Sequence, residues 1–286
     1  MNEFPFTIPS DWANDIDSAV KGFQIATKSF WDALTHGITV LVSAVNNLLD
    51  ITPWWLLVAV VFVLGWRSSK RIRSGLIYAA ALMIVGVLGL WNYMNMTLAI
   101  VITSVIIAII LGFPIGILAS ENERMSAIIR PILDTMQTMP IMTYLIPMVI
   151  FFKLGKAPAV VATVIYAVVP VIRMTDLGIR QVDKEVIEAA RAFGSTGIQS
   201  LVKVQIPQAF PTIMAGINQT LMMAMAMVTM ASMVGAPGLG LEVLTSVNRL
   251  EIGRGLFAGA SVVIIAVILD RLTQNWYKKD GGDDSQ

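Results

Sequence analysis

The sequence predicts an all-α protein that crosses a membrane several times. Hydrophobic residues make up 56% of the 286 residues and charged residues only 14%, whereas soluble domains average about 25% charged residues. Residues 74–93, 94–120 and 209–241 contain no Asp, Glu, Lys or Arg. Each of these runs is long enough to cross about 30 Å of hydrocarbon as a helix.

The composition excludes several classes of site. The chain has no cysteine, which rules out disulfides and thiolate metal sites. His36 is the single histidine and cannot form a metal site alone. The net charge of +1 gives no sign of nucleic-acid binding.

Hydropathy divides the chain into seven candidate membrane spans. The first is short, with 13 apolar residues, so an interfacial or tilted helix remains an alternative there. The predicted spans are 54–66, 75–92, 95–119, 131–152, 157–173, 209–235 and 255–273.

Lys and Arg predict the orientation of these spans. Fourteen of the 20 basic residues fall in connections on one side, including five in residues 173–203. Cytoplasmic loops carry this excess of positive charge. We therefore expect the N-terminus outside, the C-terminus inside, and residues 174–208 in the cytosol.

Residues 1–52 form an acidic segment that precedes the first span. Between Trp31 and Leu49, apolar residues recur at helical spacing and form one stripe. Such a helix can lie in the membrane interface or pack against the transmembrane bundle, and either position makes it a scaffold element. At the other end, residues 277–286 are polar, and we expect a disordered cytoplasmic tail.

The predicted cytosolic loop reads as two helices joined by a glycine turn. Residues 183–193 suit a helix, and Gly194 suits its left-handed C-cap. Ser195 or Thr196 can cap a second helix, and Pro207 and Pro211 mark the entry to the next span. An amphipathic connection on the membrane and a docking element for a cytosolic partner both fit this pattern.

Residues 188–207, EAARAFGSTGIQSLVKVQIP, resemble the EAA loop of ATP-binding-cassette (ABC) importer permeases. The family pattern is EAA, three residues, Gly, nine residues and I-x-L-P. Residues 188–190 and Gly194 match it, and residues 204–207 depart from it only by conservative apolar exchanges.

Further motifs resemble permeases for glycine betaine, proline betaine and choline, over about residues 95–274. They are LDTMQTMPIMTYLIP (133–147), VIRMTDLGIRQV (171–182), AGINQTLMMAMAM (215–227), GAPGLG (235–240) and ILDRLTQ (268–274).

The resemblance implies a type I ABC importer (MetI-like) transmembrane domain. It places a five-helix core at 94–276, two additional spans at 53–93, and the coupling loop at 174–208. The residues expected to contact the ATPase are Glu188, Ala189, Ala190, Gly194 and Pro207. Glu188 could pair with a basic group of the ATPase or cap its own helix.

The resemblance also implies the partners. They are a second copy of the permease, two ATPase subunits, an extracytoplasmic substrate-binding protein and the lipid bilayer. The sequence has no G-x-x-x-x-G-K-[ST] phosphate-binding loop. We therefore expect no cofactor on this chain and no enzymatic activity, with ATP and Mg used by the partner ATPase.

Polar and methionine residues inside the spans are candidates for the transport path. Hydrogen bonding between helices is the alternative for each of them. The candidates are Thr138, Met139, Tyr144, Asn218, Gln219, Met222 and Thr229. The spans show no aromatic box for a quaternary ammonium ion, so we expect selectivity to reside in the binding protein.

Two other function classes remain open at this point. An ion-coupled carrier needs ionisable residues near mid-membrane or broken inverted repeats, and Asp134 and Asp270 lie near the ends of spans. A non-transporting scaffold leaves the EAA spacing unexplained. An ABC permease for a different small substrate is a third alternative.

Overall fold

A computed structural model describes residues 11–277 of the chain. Residues 278–286, which contain most of the predicted tail, lie outside the described residues. Within 11–277 the backbone forms thirteen α-helices and no strand. In chain order they are α1 (Asp11–Ala26), α2 (Lys28–Ile51), α3 (Trp54–Ser69), α4 (Ile72–Val87), α5 (Trp91–Glu121), α6 (Glu123–Thr138), α7 (Ile141–Phe152), α8 (Lys156–Arg180), α9 (Lys184–Ala192), α10 (Gly197–Ser200), α11 (Ile206–Met230), α12 (Leu239–Arg249) and α13 (Ile252–Tyr277).

Helices α5, α8 and α11 form the centre of the fold, and glycines set their spacing. A Cβ atom placed on Gly116 of α5 would lie 2.6 Å from the Cβ of Thr175 in α8. One placed on Gly216 of α11 would lie 2.6 Å from the Cβ of Met174. Small residues let helix backbones approach closely in a membrane, where dispersion rather than water exclusion drives packing.

The predicted span 131–152 is wrong as a single helix. Helices α6 and α7 meet there at an angle of 97°. The break falls at Met139, whose ψ of 133° is extended, a conformation that Pro140 favours for the residue before it. The 12 residues of α7 are too few to cross a bilayer alone.

The count of seven spans is not confirmed. Five helices are long and apolar enough to cross a membrane, or six if the bent pair α6–α7 is one span. Helices α3 and α4 have 16 residues each, which is about 24 Å. Helix α2 qualifies by length and composition, although the sequence suggested an interfacial position for it. The boundaries 1–52, 53–93 and 94–276 stay predictions.

Helix α2 packs half of its apolar stripe on the core. Ile38 and Val42 are buried, and Trp31, Val45 and Leu49 pack beside them. The stripe's other residues, Leu34, Leu41 and Leu48, are exposed. These five residues place one side of α2 against the bundle, and the interfacial position stays a prediction that is compatible with this packing.

Two polar contacts support this position of α2. The Asn95 side chain of α5 donates to Asp50 Oδ1 at 2.8 Å. Lys153, in the connection between α7 and α8, lies 3.9 Å from Asp32. Both ends of α2 are thus tied to the core.

Candidate coupling surface and membrane path

The glycine turn predicted in the cytosolic loop is present. Helix α9 is capped by Asp183, whose carboxylate accepts from the Glu185 N–H at 2.9 Å. At its other end Gly194 has a φ of +84°. The N–H groups of Gly194 and Ser195 donate to Arg191 and Ala190 at 2.9 and 3.1 Å. These two hydrogen bonds, together with the left-handed glycine, form a Schellman motif at the end of the helix.

Thr196, one of the two predicted caps, begins the second helix. Its hydroxyl accepts from the Gln199 N–H, and the Gln199 side chain accepts from the Thr196 N–H. Reciprocal bonding of this kind satisfies two free helix-end donors. The turn between α9 and α10 is therefore closed on both sides by local hydrogen bonds.

The second helix continues into the next span, whose entry the sequence placed at Pro207. Helix α10 continues through a π-helical turn at Leu201–Gln205 into α11. Pro207 lies just after this π-helical turn, as the second residue of α11. The loop is thus continuous with a helix of the central bundle.

The loop has a buried side and an exposed apolar side. Ile187 and Leu201 pack against the ends of α8 and α11. On the other side Phe193 is 92% exposed and Ile198 is 77% exposed. We call Phe193, Gly194 and Ile198, with the exposed Val186 and Val202, the coupling surface. Apolar side chains flanking a turn are typical of a surface that a partner covers.

The EAA residues lie on α9 with different exposures. Glu188 and Ala189 are exposed and Ala190 is half-buried. Because Asp183 caps α9, the alternative in which Glu188 caps its own helix is wrong. The Glu188 carboxylate and the Ala189 methyl group are left at the surface, beside the glycine turn.

Sequence reasoning missed the anchor at the end of α8. Arg180 donates to Asp176 at 2.5 Å and to the Ala119 carbonyl of α5 at 2.6 Å. This fixes the helix end from which the loop departs. The four-residue spacing of Asp176 and Arg180 was a visible signal, but the contact with Ala119 is 61 residues away in sequence.

Three candidate path residues lie at the break between α6 and α7. Thr138 is exposed and donates to the Thr135 carbonyl at 3.1 Å. Met139 is the non-helical residue of the break. Tyr144 is buried, and its hydroxyl donates to the Met136 carbonyl on the far side of the break. The tyrosine hydroxyl thus donates to a carbonyl that loses its helical N–H partner at the bend.

The four candidates on α11 have separate environments. Asn218 donates to Asp270 Oδ1 at 3.0 Å and accepts from Thr273, both in α13. These are hydrogen bonds between helices, which the sequence offered as the alternative to a role in the transport path. Gln219 and Met222 are exposed.

Thr229 is also engaged within the bundle. Its hydroxyl donates to the Met225 carbonyl at 3.0 Å. A Cβ atom on Gly240 would lie 2.8 Å from the Thr229 carbonyl oxygen. These bonds of Asn218 and Thr229 run within α11 or to α13, not to the break at Met139.

Residues 108–279 match the family of binding-protein-dependent transport system inner membrane components. This match covers more than half of the chain. The chain belongs to this family. It is therefore a multi-pass component of the cytoplasmic membrane, in a family whose members work with an ATPase and a substrate-binding protein.

Relatives with known names are similar over nearly the whole chain. The glycine betaine transport system permease protein OpuAB of Bacillus subtilis is 47% identical over 263 residues, 92% of this chain and 93% of that protein. The glycine betaine/carnitine transport permease protein GbuB of Listeria monocytogenes is 44% identical over 277 residues, which are 96% of this chain and 97% of that protein. The glycine betaine/proline betaine permease protein ProW of Escherichia coli is 47% identical over 75% of this chain and 61% of its own length. The resemblance predicted from the sequence motifs is confirmed.

A solved structure confirms the fold. A structure of the MetNI methionine ABC transporter in inward-facing conformations matches 64% of this chain and 90% of its own chain, with 25% identity and a TM-score of 0.55. A second crystal form matches with a TM-score of 0.59 at 22% identity. The MetI-like architecture is therefore present, with the span count left open.

Proposed function

We propose that this chain is the permease subunit of an ABC importer that moves a quaternary amine osmolyte into the cell. The names of the relatives support glycine betaine and proline betaine as substrates. Carnitine and choline are further substrates in relatives' names. The shared chemistry is a quaternary ammonium ion on a small, highly soluble molecule.

The coupling surface is the observation that carries the proposal. It presents Phe193 and Ile198 beside a rigid glycine turn, on a loop continuous with α8 and α11. A groove on an ATPase subunit would remove both side chains from water. Glu188, Ala189, Ala190 and Pro207 extend this contact region.

ATP, with Mg, is hydrolysed on the separate ATPase subunit in this proposal. Two ATPase subunits closing on ATP need two coupling loops, so two copies of this chain form the membrane unit. Closure moves both loops and rocks the attached helices between inward- and outward-facing states, as a rigid-body switch. A substrate-binding protein delivers the osmolyte from the outside.

The orientation follows from the position of the ATPase. With the coupling surface in the cytosol, the C-terminus lies inside and the N-terminus outside. The break at Thr138 and Met139, beside Tyr144, is the segment that we assign to the path. Met222, Gln219 and Thr229 are weaker candidates, and Asn218 is assigned instead to helix packing.

The first test is copurification of the tagged chain from its native membranes, followed by mass spectrometry. We expect an ATPase subunit in one-to-one ratio with this chain. Gly194→Trp places a large ring on the turn at a positive φ, and should abolish ATPase binding while membrane insertion stays normal.

Gly194→Asn is the matched control, because asparagine tolerates the left-handed conformation. It should retain the ATPase. A wild-type preparation without any nucleotide-binding subunit would contradict the proposal and favour an ion-coupled carrier.

A further inference from the structure

Three ion pairs connect α6 to α8 along one face of each helix. Arg130 pairs with Asp176 at 3.3 Å, and the other two pairs are Arg173–Asp134 and Arg180–Glu123. The α8 residues are spaced by three and four positions, which places them on one side of the helix. We call these six residues the charged ladder.

Apart from these ion pairs, helix α6 packs on α5 and α8 through Leu133, with Ile129 and Met136 beside it. It begins after Asn122 (φ −133°, ψ 111°) and ends before Met139, both non-helical. Its two fully buried residues are Ser126 and Leu133. A cavity of about 280 Å³ lies beside the ladder, lined by residues of α5, α6 and α8. Helix α6 is therefore bounded by a non-helical residue at each end, and an open cleft lies between it and α8.

The ladder also reaches the start of the loop that carries the coupling surface. Arg180 is the last residue of α8, and α9 begins four residues later at Lys184. Arg180 bonds both Asp176 and the Ala119 carbonyl. A displacement of the loop thus acts first on the α8 end that carries the ladder.

We propose that the charged ladder transmits movement of the coupling surface to α6, and so to the break at Met139. Asp176 and Arg180 are positioning residues in this link, because Asp176 contacts two arginines and Arg180 contacts two carboxylates and the Ala119 carbonyl. The inference rests on the proposed docking of an ATPase at the coupling surface.

The charges and exposures of the ladder fit a mechanical link better than the alternatives. It holds three basic and three acidic side chains, so it has no net charge to attract an anion. The side chains of Arg173 and Asp134 are 40% and 66% exposed, and exposed ion pairs contribute little to stability. Breaking that pair should leave the fold intact.

The test uses the whole importer in proteoliposomes: two permease copies, ATPase subunits and binding protein. Glycine betaine taken up per ATP hydrolysed is the readout. Arg173→Asp and Asp134→Arg singly should lower this ratio by about twofold to thirtyfold, the range seen when residues on a transmission route change. The double swap restores an opposite-charge pair and should return the ratio to the wild-type value.

Arg124→Asp is the matched control on α6. It makes the same charge change at an exposed position for which the described residues provide no ion pair, and it should leave the ratio unchanged. Single variants with a wild-type ratio would overturn the inference. The inference would also be overturned if uptake and ATP hydrolysis fell in proportion and the double swap did not restore them. A merely structural role of the pair gives that result. Absence of the ATPase from the wild-type complex would instead overturn the proposed function.

Discussion

Two glycines in this protein have opposite surroundings. Gly116, in the central bundle, faces Thr175 and the Ile172 carbonyl so closely that an added Cβ would lie 2.6 and 2.9 Å from them. Gly194, in the coupling surface, has nothing within 4 Å of an added Cβ and a φ of +84°. The first position needs a small side chain, and the second needs a backbone conformation.

The difference separates the two regions by what a substitution should change. The packed interface of α5, α8 and α11 determines whether the bundle assembles. The coupling surface is exposed, so its side chains can change without disturbing the fold. Stability and partner binding should therefore respond to different residues.

The largest effect is expected inside the bundle. Gly116→Val places three carbon atoms where α8 leaves no space, and overpacking of this kind costs about 1–3 kcal/mol or more. We expect a steep loss of folded protein in the membrane and a lower Tm in detergent. Gly259→Val in α13, where nothing lies within 4 Å of an added Cβ, is the control and should fold normally. Equal Tm values for the two variants would contradict the close packing.

The next effect is expected at the coupling surface, and on binding alone. Burial of a phenylalanine side chain contributes about 1.5–3 kcal/mol, so Phe193→Ser should weaken ATPase binding by about tenfold to a hundredfold. The Tm should not change, since Phe193 is 92% exposed. Affinity can be measured by titrating the purified ATPase subunit onto the permease in nanodiscs.

Phe193→Leu keeps an apolar side chain and serves as the matched variant, with a smaller loss of affinity expected. A Phe193→Ser variant that binds normally but melts early would place this side chain in the fold instead of the interface.

The smallest effect is expected for the interhelical bonds of Asn218. Asn218→Val removes its bonds to Asp270 and Thr273, and such bonds in membranes average about 0.6 kcal/mol, with a maximum near 1.7. We expect a Tm lower by a few degrees and an unchanged KM for uptake. Gln219→Val, its exposed neighbour, should leave the Tm unchanged. A raised KM with a normal Tm would return Asn218 to the transport path.

The features that were predictable from sequence are governed by neighbouring residues. The Gly194 turn and the Thr196 cap each depend on residues within five positions, and both are present. The all-helical membrane class depends on long apolar runs, which are independent of how the helices pack. The turn and the cap are specified by adjacent residues, and the membrane class is specified by hydropathy summed over long stretches of sequence.

The features that were missed depend on pairing or on one overlooked residue. The contacts of Arg180 with Ala119 and Glu123 join segments 61 and 57 residues apart, and no local pattern specifies them. The stripe of α2 showed an apolar face but not how much of it the core covers. The break at Met139 had a local signal in Pro140, which hydropathy averaged over 131–152 did not show because the strongly apolar α7 outweighs the amphipathic end of α6.

The most direct test of the account is uptake of labelled glycine betaine by proteoliposomes that contain the purified complex and its binding protein. ATP is supplied only on the side of the coupling surface, and sodium and proton gradients are imposed separately. We expect accumulation that requires ATP and is lost in Gly194→Trp, with no accumulation from ion gradients alone. Accumulation driven by an ion gradient without ATP would contradict the proposal that this chain is the permease of an ATP-driven importer.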